Sequence, residues 1–278
     1  MEGIRAGEHG IGGVLFDLDG TLAVASEPVP GAPDAVRELR ARRVPMAIVT
    51  NTTRLSRAAL VTRLRGAGFE FTDAEIFTVP AIASSWLLGN GCRRVLPLLA
   101  RATWPDLAGV EIVESAPAAD RGVAAGAVVD AVLVGDPGPE LTWDALNGAF
   151  RAVMGGARLV AGQRNRYWQE PDGLSIDAGA LVVALEYAAG VTAELVGKPA
   201  PAFFLRAAAY LGLEPSRLLM VGDDLEADVR GAQAAGLLGC QVRTGKFREA
   251  DLATPGRTPD LVVASVADLP AALAASRL

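Results

Sequence analysis

The chain has 278 residues, 51% of them hydrophobic and 21% charged, with a formal net charge of −6. That length supports one large or two modest domains, and the composition is that of a globular protein. The acidic balance excludes a broad nucleic-acid-binding surface, and no apolar run approaches the roughly 18 residues that cross a bilayer.

In chain order, the first element is a strand at 13–17, in "GVLFDLDGTLA", where an apolar run meets two carboxylates, Asp17 and Asp19. A helical pattern follows at 33–43, then the strand "PMAIVT" at 45–50 and a helix at 54–66. From about 90 to 190 the chain is richer in Pro and Gly and its periodicity weakens. Strands are expected there at 94–99, 131–135 and 157–161, with a helix at 142–154. Beyond it come "AELVG" at 193–197, a helix at 200–211, "LLMVG" at 218–222 and a helix at 226–235. "CQVR" at 240–243, "LVVAS" at 261–265 and a last helix at 266–276 complete the order.

Several strands are continuous apolar runs, the pattern of a parallel sheet covered on both faces. Their alternation with helices predicts a doubly wound, Rossmann-like α/β fold. The middle stretch reads as a smaller α/β domain inserted into it. The expected division is a core of 1–89 and 191–278 and a cap of 90–190.

The leader "MEGIRAGEHGIGG" lacks a secretory signal's hydrophobic segment, and Cys92 and Cys240 form neither a disulfide framework nor a zinc motif. A cytoplasmic location is expected. His9 is the only histidine, so catalysis here is expected to rest on carboxylates. "VRTGKF" lacks the spacing and the Ser/Thr of a nucleotide-binding P-loop. Trp86, Trp104, Trp143 and Trp168 are expected to be core more often than ligand platforms.

Ligands of an open α/β sheet collect at the carboxyl ends of its strands. There stand Asp17 and Asp19 after the first strand, and Thr50 and Asn51 in "IVTNTT". Lys198 follows in "LVGKPAP", and Asp223 and Asp224 in "MVGDDLEAD". Each alone reads as a polar turn or a helix cap. Four together carry the residue types that phosphate chemistry uses.

In order and spacing, "DLDGTL" (17–22), "VTN" (49–51), Lys198 and "GDDLEAD" (222–228) resemble the four motifs of the haloacid dehalogenase superfamily of phosphohydrolases. The likeness extends over nearly the whole chain. The separation of 148 positions from Thr50 to Lys198 suits the large inserted cap called C2. "VTNTTRLSR", "VGKPAPAFFLRAA" and "QVRTGKFR" look like one branch, that of phospholysine phosphohistidine inorganic pyrophosphate phosphatase and its hydrolase-domain relatives. Mammalian members of that branch carry Ser where this chain has Asp19, so their substrate choice does not transfer.

The resemblance implies a Mg²⁺-dependent phosphatase acting on a small phosphorylated substrate, with no nucleic-acid or membrane partner. Asp17 would be the nucleophile that forms an aspartyl-phosphate, and Asp19 the general acid and base. Asp17, Asp223 and the main-chain oxygen of Asp19 would hold Mg²⁺. Thr50, Asn51 and Lys198 would hold the phosphoryl group, with Asp224 and Asp228 supporting from behind. Arg166 and Tyr167 are candidate leaving-group contacts. A phosphomutase or phosphotransferase would use the same intermediate, and a non-catalytic metabolite-binding protein on this fold is the remaining alternative. Oligomeric state stays open, with a homodimer the assembly that the resemblance suggests.

Overall fold

A computed structural model describes residues 10–24, 27–114, 128–170, 173–252 and 258–275. His9 lies outside the described residues. The chain forms two compact units, Met1–Thr50 with Leu60–Phe77 and Lys198–Leu278, and Asn51–Ala59 with Thr78–Gly197.

The first unit holds a six-stranded sheet in the order Leu261–Val263, Leu238–Val242, Leu218–Gly222, Gly13–Phe16, Met46–Thr50 and Ile76–Thr78. The strands from Leu261–Val263 across to Met46–Thr50 run parallel. Val14, Leu15, Phe16 and Leu218–Val221 are fully buried, which is why these strands lack polar alternation. The order reverses between Gly13–Phe16 and Leu218–Gly222, and such a switch point opens a crevice at the strand ends. Both strands are followed by aspartates, Asp17 and Asp223.

Helices cover this sheet by apolar stripes. Ala32–Ala41 buries Ala32, Ala35, Val36 and Leu39, spaced three and four apart, and has Pro33 in its first turn. Pro201–Leu211 buries Phe203, Phe204, Ala207 and Ala208 and stops at Gly212, whose φ of 65° suits glycine.

The second unit has its own five-stranded parallel sheet, ordered Glu194–Leu195, Arg158–Ala161, Ala131–Val134, Arg94–Leu98 and Glu111–Ile112. Separate apolar clusters pack it, one around Leu96, Val132, Leu159 and Val182, the other around Leu87, Val95, Leu133 and Val160. An antiparallel hairpin joins Tyr167–Glu170 to Gly173–Ile176.

The structure departs from the sequence reading at three places. "AELVG" contributes only Glu194–Leu195, and that strand pairs with Arg158–Ala161 in the smaller sheet. Lys198 therefore does not follow a strand of the six-stranded sheet. The strand Ile76–Thr78 and the helix Val79–Gly89 carry no clear signal, because "VPAIASSWLLG" is apolar nearly all round. Trp143 is 75% exposed instead of core. It opens a helix that buries Ala149 and Ala152, and six residues before Ala149 lies about 240° round the axis.

Candidate active site

The strand Gly13–Phe16 pairs with Leu218–Gly222 so that Phe16 faces Val221, and the Asp17 amide donates to the Val221 carbonyl at 2.9 Å. Register thus brings Asp17 level with Gly222, and Asp223 follows one residue on, at the same end of the sheet. On the other side Phe16 faces Ile48, which sets Thr50, also buried, two residues further along the neighbouring strand. Asn51 follows it directly, at the start of the second unit.

Lys198 is 3% exposed and joins two acids. Its Nζ donates to Asp17 Oδ1 at 2.5 Å and to Asp228 Oδ1 at 2.7 Å. Asp228 lies in the π-helical turn Leu225–Arg230, a geometry that recurs at functional sites. Asp224 caps that turn, accepting from the amides of Glu226 and Ala227. The amide of Asp224 in turn donates to Asp228 Oδ2 at 3.1 Å. Both oxygens of Asp228 are therefore occupied by donors.

Gly222, where this strand ends, leaves room for Asp228, since a Cβ there would stand 2.3 Å from its side chain. Gly20 does the same on the first loop. Its φ is +92°, and a Cβ would meet Asp223 Oδ2 at 1.9 Å.

One oxygen each from Asp17, Asp223 and Asp228 lies within 4.8 Å of the others. Three buried carboxylates facing one ammonium are short of positive charge. Burial, then Asp17 and Asp228, push the Asp223 carboxyl up to about 8. Burial likewise raises Asp228, to about 7, against the pull of Lys198. Asp17 too is raised, by burial against Lys198. Lys198 is held above its usual value, because Asp17 and Asp228 outweigh its burial. An all-oxygen donor set of carboxylates, starved of cation, fits a hard divalent ion such as Mg²⁺.

Asp19 stands apart from this cluster. Its side chain is 61% exposed, and Arg63 Nη2 reaches its Oδ1 at 3.5 Å. Arg166 and Tyr167 are exposed residues of the second unit. Trp168 there lies under the Arg54 guanidinium, 4.8 Å from its ring centre, and Arg54 also pairs with Asp136 at 2.7 Å.

The sequence gives the stretch Thr244–Lys246 no role at the acid site, yet it reaches the acid loops by Thr244 Oγ1 to the Gly20 carbonyl and Lys246 to Asp223 and Asp224. The signal that would have found it is the one used for the others: polar residues directly after a core strand, here Leu238–Val242.

Family models match two parts of the chain, a haloacid dehalogenase-like hydrolase model over residues 14–112 and a HAD-hydrolase-like model over 195–269. Among curated relatives, the human haloacid dehalogenase-like hydrolase domain-containing protein 2 is 40% identical over 238 residues, 86% of each chain. Human phospholysine phosphohistidine inorganic pyrophosphate phosphatase is 34% identical over 93% of each. Among solved structures, a glycerol phosphate phosphatase from Mycobacterium tuberculosis in complex with magnesium superposes with a TM-score of 0.81 and 29% identity. That match covers 95% of this chain and 76% of the other.

Proposed function

The chain belongs to the haloacid dehalogenase-like hydrolases, and from that membership we propose that it is a Mg²⁺-dependent phosphatase of small phosphorylated compounds, working through an aspartyl-phosphate. The observation that carries this reading is the buried Lys198 bridging Asp17 and Asp228 beside Asp223, at the switch point of the sheet. Named phosphatases among the relatives support the reaction class, and a magnesium complex of a structural neighbour supports the metal.

Asp17 and Asp223 would hold Mg²⁺ together with the main-chain oxygen of Asp19, and the ion would neutralise charge on the phosphoryl oxygens. Asp17 attacks phosphorus, forming a new P–O bond as the bond to the leaving oxygen breaks. Asp19, accessible to solvent, gives that oxygen a proton. It then takes one from the water that attacks the phospho-aspartate, and inorganic phosphate and free Asp17 result. Lys198, Thr50 and the Asn51 amide hold the phosphoryl oxygens as charge spreads over them. Asp228 keeps Lys198 aimed at Asp17, and Asp224 keeps the turn that carries Asp228.

The test is release of p-nitrophenol from p-nitrophenyl phosphate by the purified chain with Mg²⁺, abolished by EDTA. Asp17→Asn is expected to fold and to lose activity at least 10³-fold, on the order of what loss of a nucleophile costs. A variant that keeps most of its turnover sinks the nucleophile assignment.

A further inference from the structure

After Leu238–Val242, whose Gln241 lies opposite Gly222, the chain turns over the acid cluster in the sequence Thr244-Gly245-Lys246. Three contacts tie it down. Thr244 Oγ1 donates to the Gly20 carbonyl at 2.5 Å, the Lys246 amide to Asp223 Oδ2 at 2.7 Å, and Lys246 Nζ to Asp224 Oδ2 at 3.1 Å. Between them Gly245, with φ +60°, packs so tightly that a Cβ would lie 2.0 Å from Asp223 Oδ2 and 2.7 Å from Gly20 Cα. Asp223 is thus enclosed by two glycine backbones and pinned by one amide.

These contacts have a physical purpose in view of the crowding. Asp17, Asp223 and Asp228 crowd their negative charge at the ends of two neighbouring strands, Asp17 on the loop after Gly13–Phe16 and the other two after Leu218–Gly222. A third loop bonded to both the Gly20 and the Asp223 loops opposes their repulsion. It leaves Asp223 one free oxygen and fixes the main chain next to Asp19. Resting on the metal-site reading above, we propose that Thr244–Lys246 is a positioning element that sets the affinity of the site for Mg²⁺. Neither Thr244 nor Lys246 is a ligand in this arrangement; each acts through a group that is, or through its neighbour. Removing a residue of this kind typically weakens metal binding about 10–100-fold.

Thr244→Val keeps the shape of the side chain and removes its donor. Mg²⁺ is titrated into the purified full-length chain by calorimetry, and the rise in unfolding temperature with Mg²⁺ is followed alongside. The valine variant is expected to bind Mg²⁺ about tenfold more weakly or worse. The Mg²⁺ concentration for half-maximal p-nitrophenyl phosphate hydrolysis should rise by the same factor, and Thr244→Ser should restore both. Wild-type affinity in the valine variant overturns the inference. Should that variant not fold, Lys246→Met, whose side chain is half-exposed, carries the same test, because Asp224 then loses its ion pair. Weaker binding is expected; unchanged or tighter binding overturns the inference, the latter marking Lys246 as a mere repelling charge. A wild-type chain that binds no Mg²⁺ overturns the metal-site reading itself, whereas wild-type binding with indifferent variants overturns this inference alone.

Discussion

The carboxyls of Asp223 and Asp228 are pushed above the usual carboxylate range, and this links the site to stability. Burial first, then neighbouring acids, push Asp223 up to about 8, and burial pushes Asp228 up to about 7. In the unfolded chain both titrate near pH 4, as free aspartates do. Above that pH the native metal-free state binds more protons than the unfolded one, so stability falls as pH rises through 7 and 8. Asp224 goes the other way. Although burial opposes it, Lys246 and the Ala227 amide hold it below the usual range, and it stays charged throughout this window. A cation that binds the deprotonated carboxylates competes with the protons. The unfolding temperature in EDTA should therefore drop between pH 6 and pH 8, while the increment produced by Mg²⁺ grows. Calorimetric scans at both pH values check this, and an increment indifferent to pH would contradict the assignment of Asp223 to the metal.

At the scale of elements, the meeting of strand ends and turns matters more than any one strand. The strand Leu218–Gly222 ends in a glycine because the turn Leu225–Arg230 folds back against it and lays Asp228 where a Cβ would be. Gly222→Ala should destabilise the chain by about 1–3 kcal/mol, as overpacking does. It should also push Asp228 away from Lys198, so hydrolysis falls while the folded signal in circular dichroism persists; an alanine variant with wild-type stability and turnover would refute that packing argument. Legibility follows the same line. Gly13–Phe16, Met46–Thr50 and Leu218–Gly222 stand out as apolar runs closed by polar turns, and their carboxyl ends carry the acids and Thr50. Helix Val79–Gly89 is apolar all round and so shows no face. The short pair Glu194–Leu195 carries nothing to say which sheet it joins, and Lys198 was picked out by its motif while its strand was misplaced. Thr244–Lys246 resembles a degenerate nucleotide loop in sequence, and only its position after Leu238–Val242 shows where it acts. A residue's contacts across more than 200 positions, such as Thr244 with Gly20, leave no local periodicity to read.

For the whole molecule, the question is how far the two units depend on one another energetically. Each has a sheet and buried apolar residues of its own, and the chain leaves the first unit and re-enters it more than once. The three clustered carboxylates Asp17, Asp223 and Asp228, with Lys198, all belong to the first unit. Mg²⁺ binding should then stabilise that unit directly, by mass action on its folded form. Leu133 offers the converse test. It is fully buried in the sheet of the second unit, and Leu133→Ala should cost about 2–5 kcal/mol through lost contacts and the cavity left behind. Unfolding followed by calorimetry should then show a transition lowered by the substitution and insensitive to Mg²⁺, with a second that still rises as Mg²⁺ is added. The Mg²⁺ dissociation constant, measured below either transition, should stay within twofold of wild type. A single transition that shifts as a whole, together with weakened Mg²⁺ binding, would show that the acid cluster owes its geometry to the second unit as well, and that the two fold as one cooperative body.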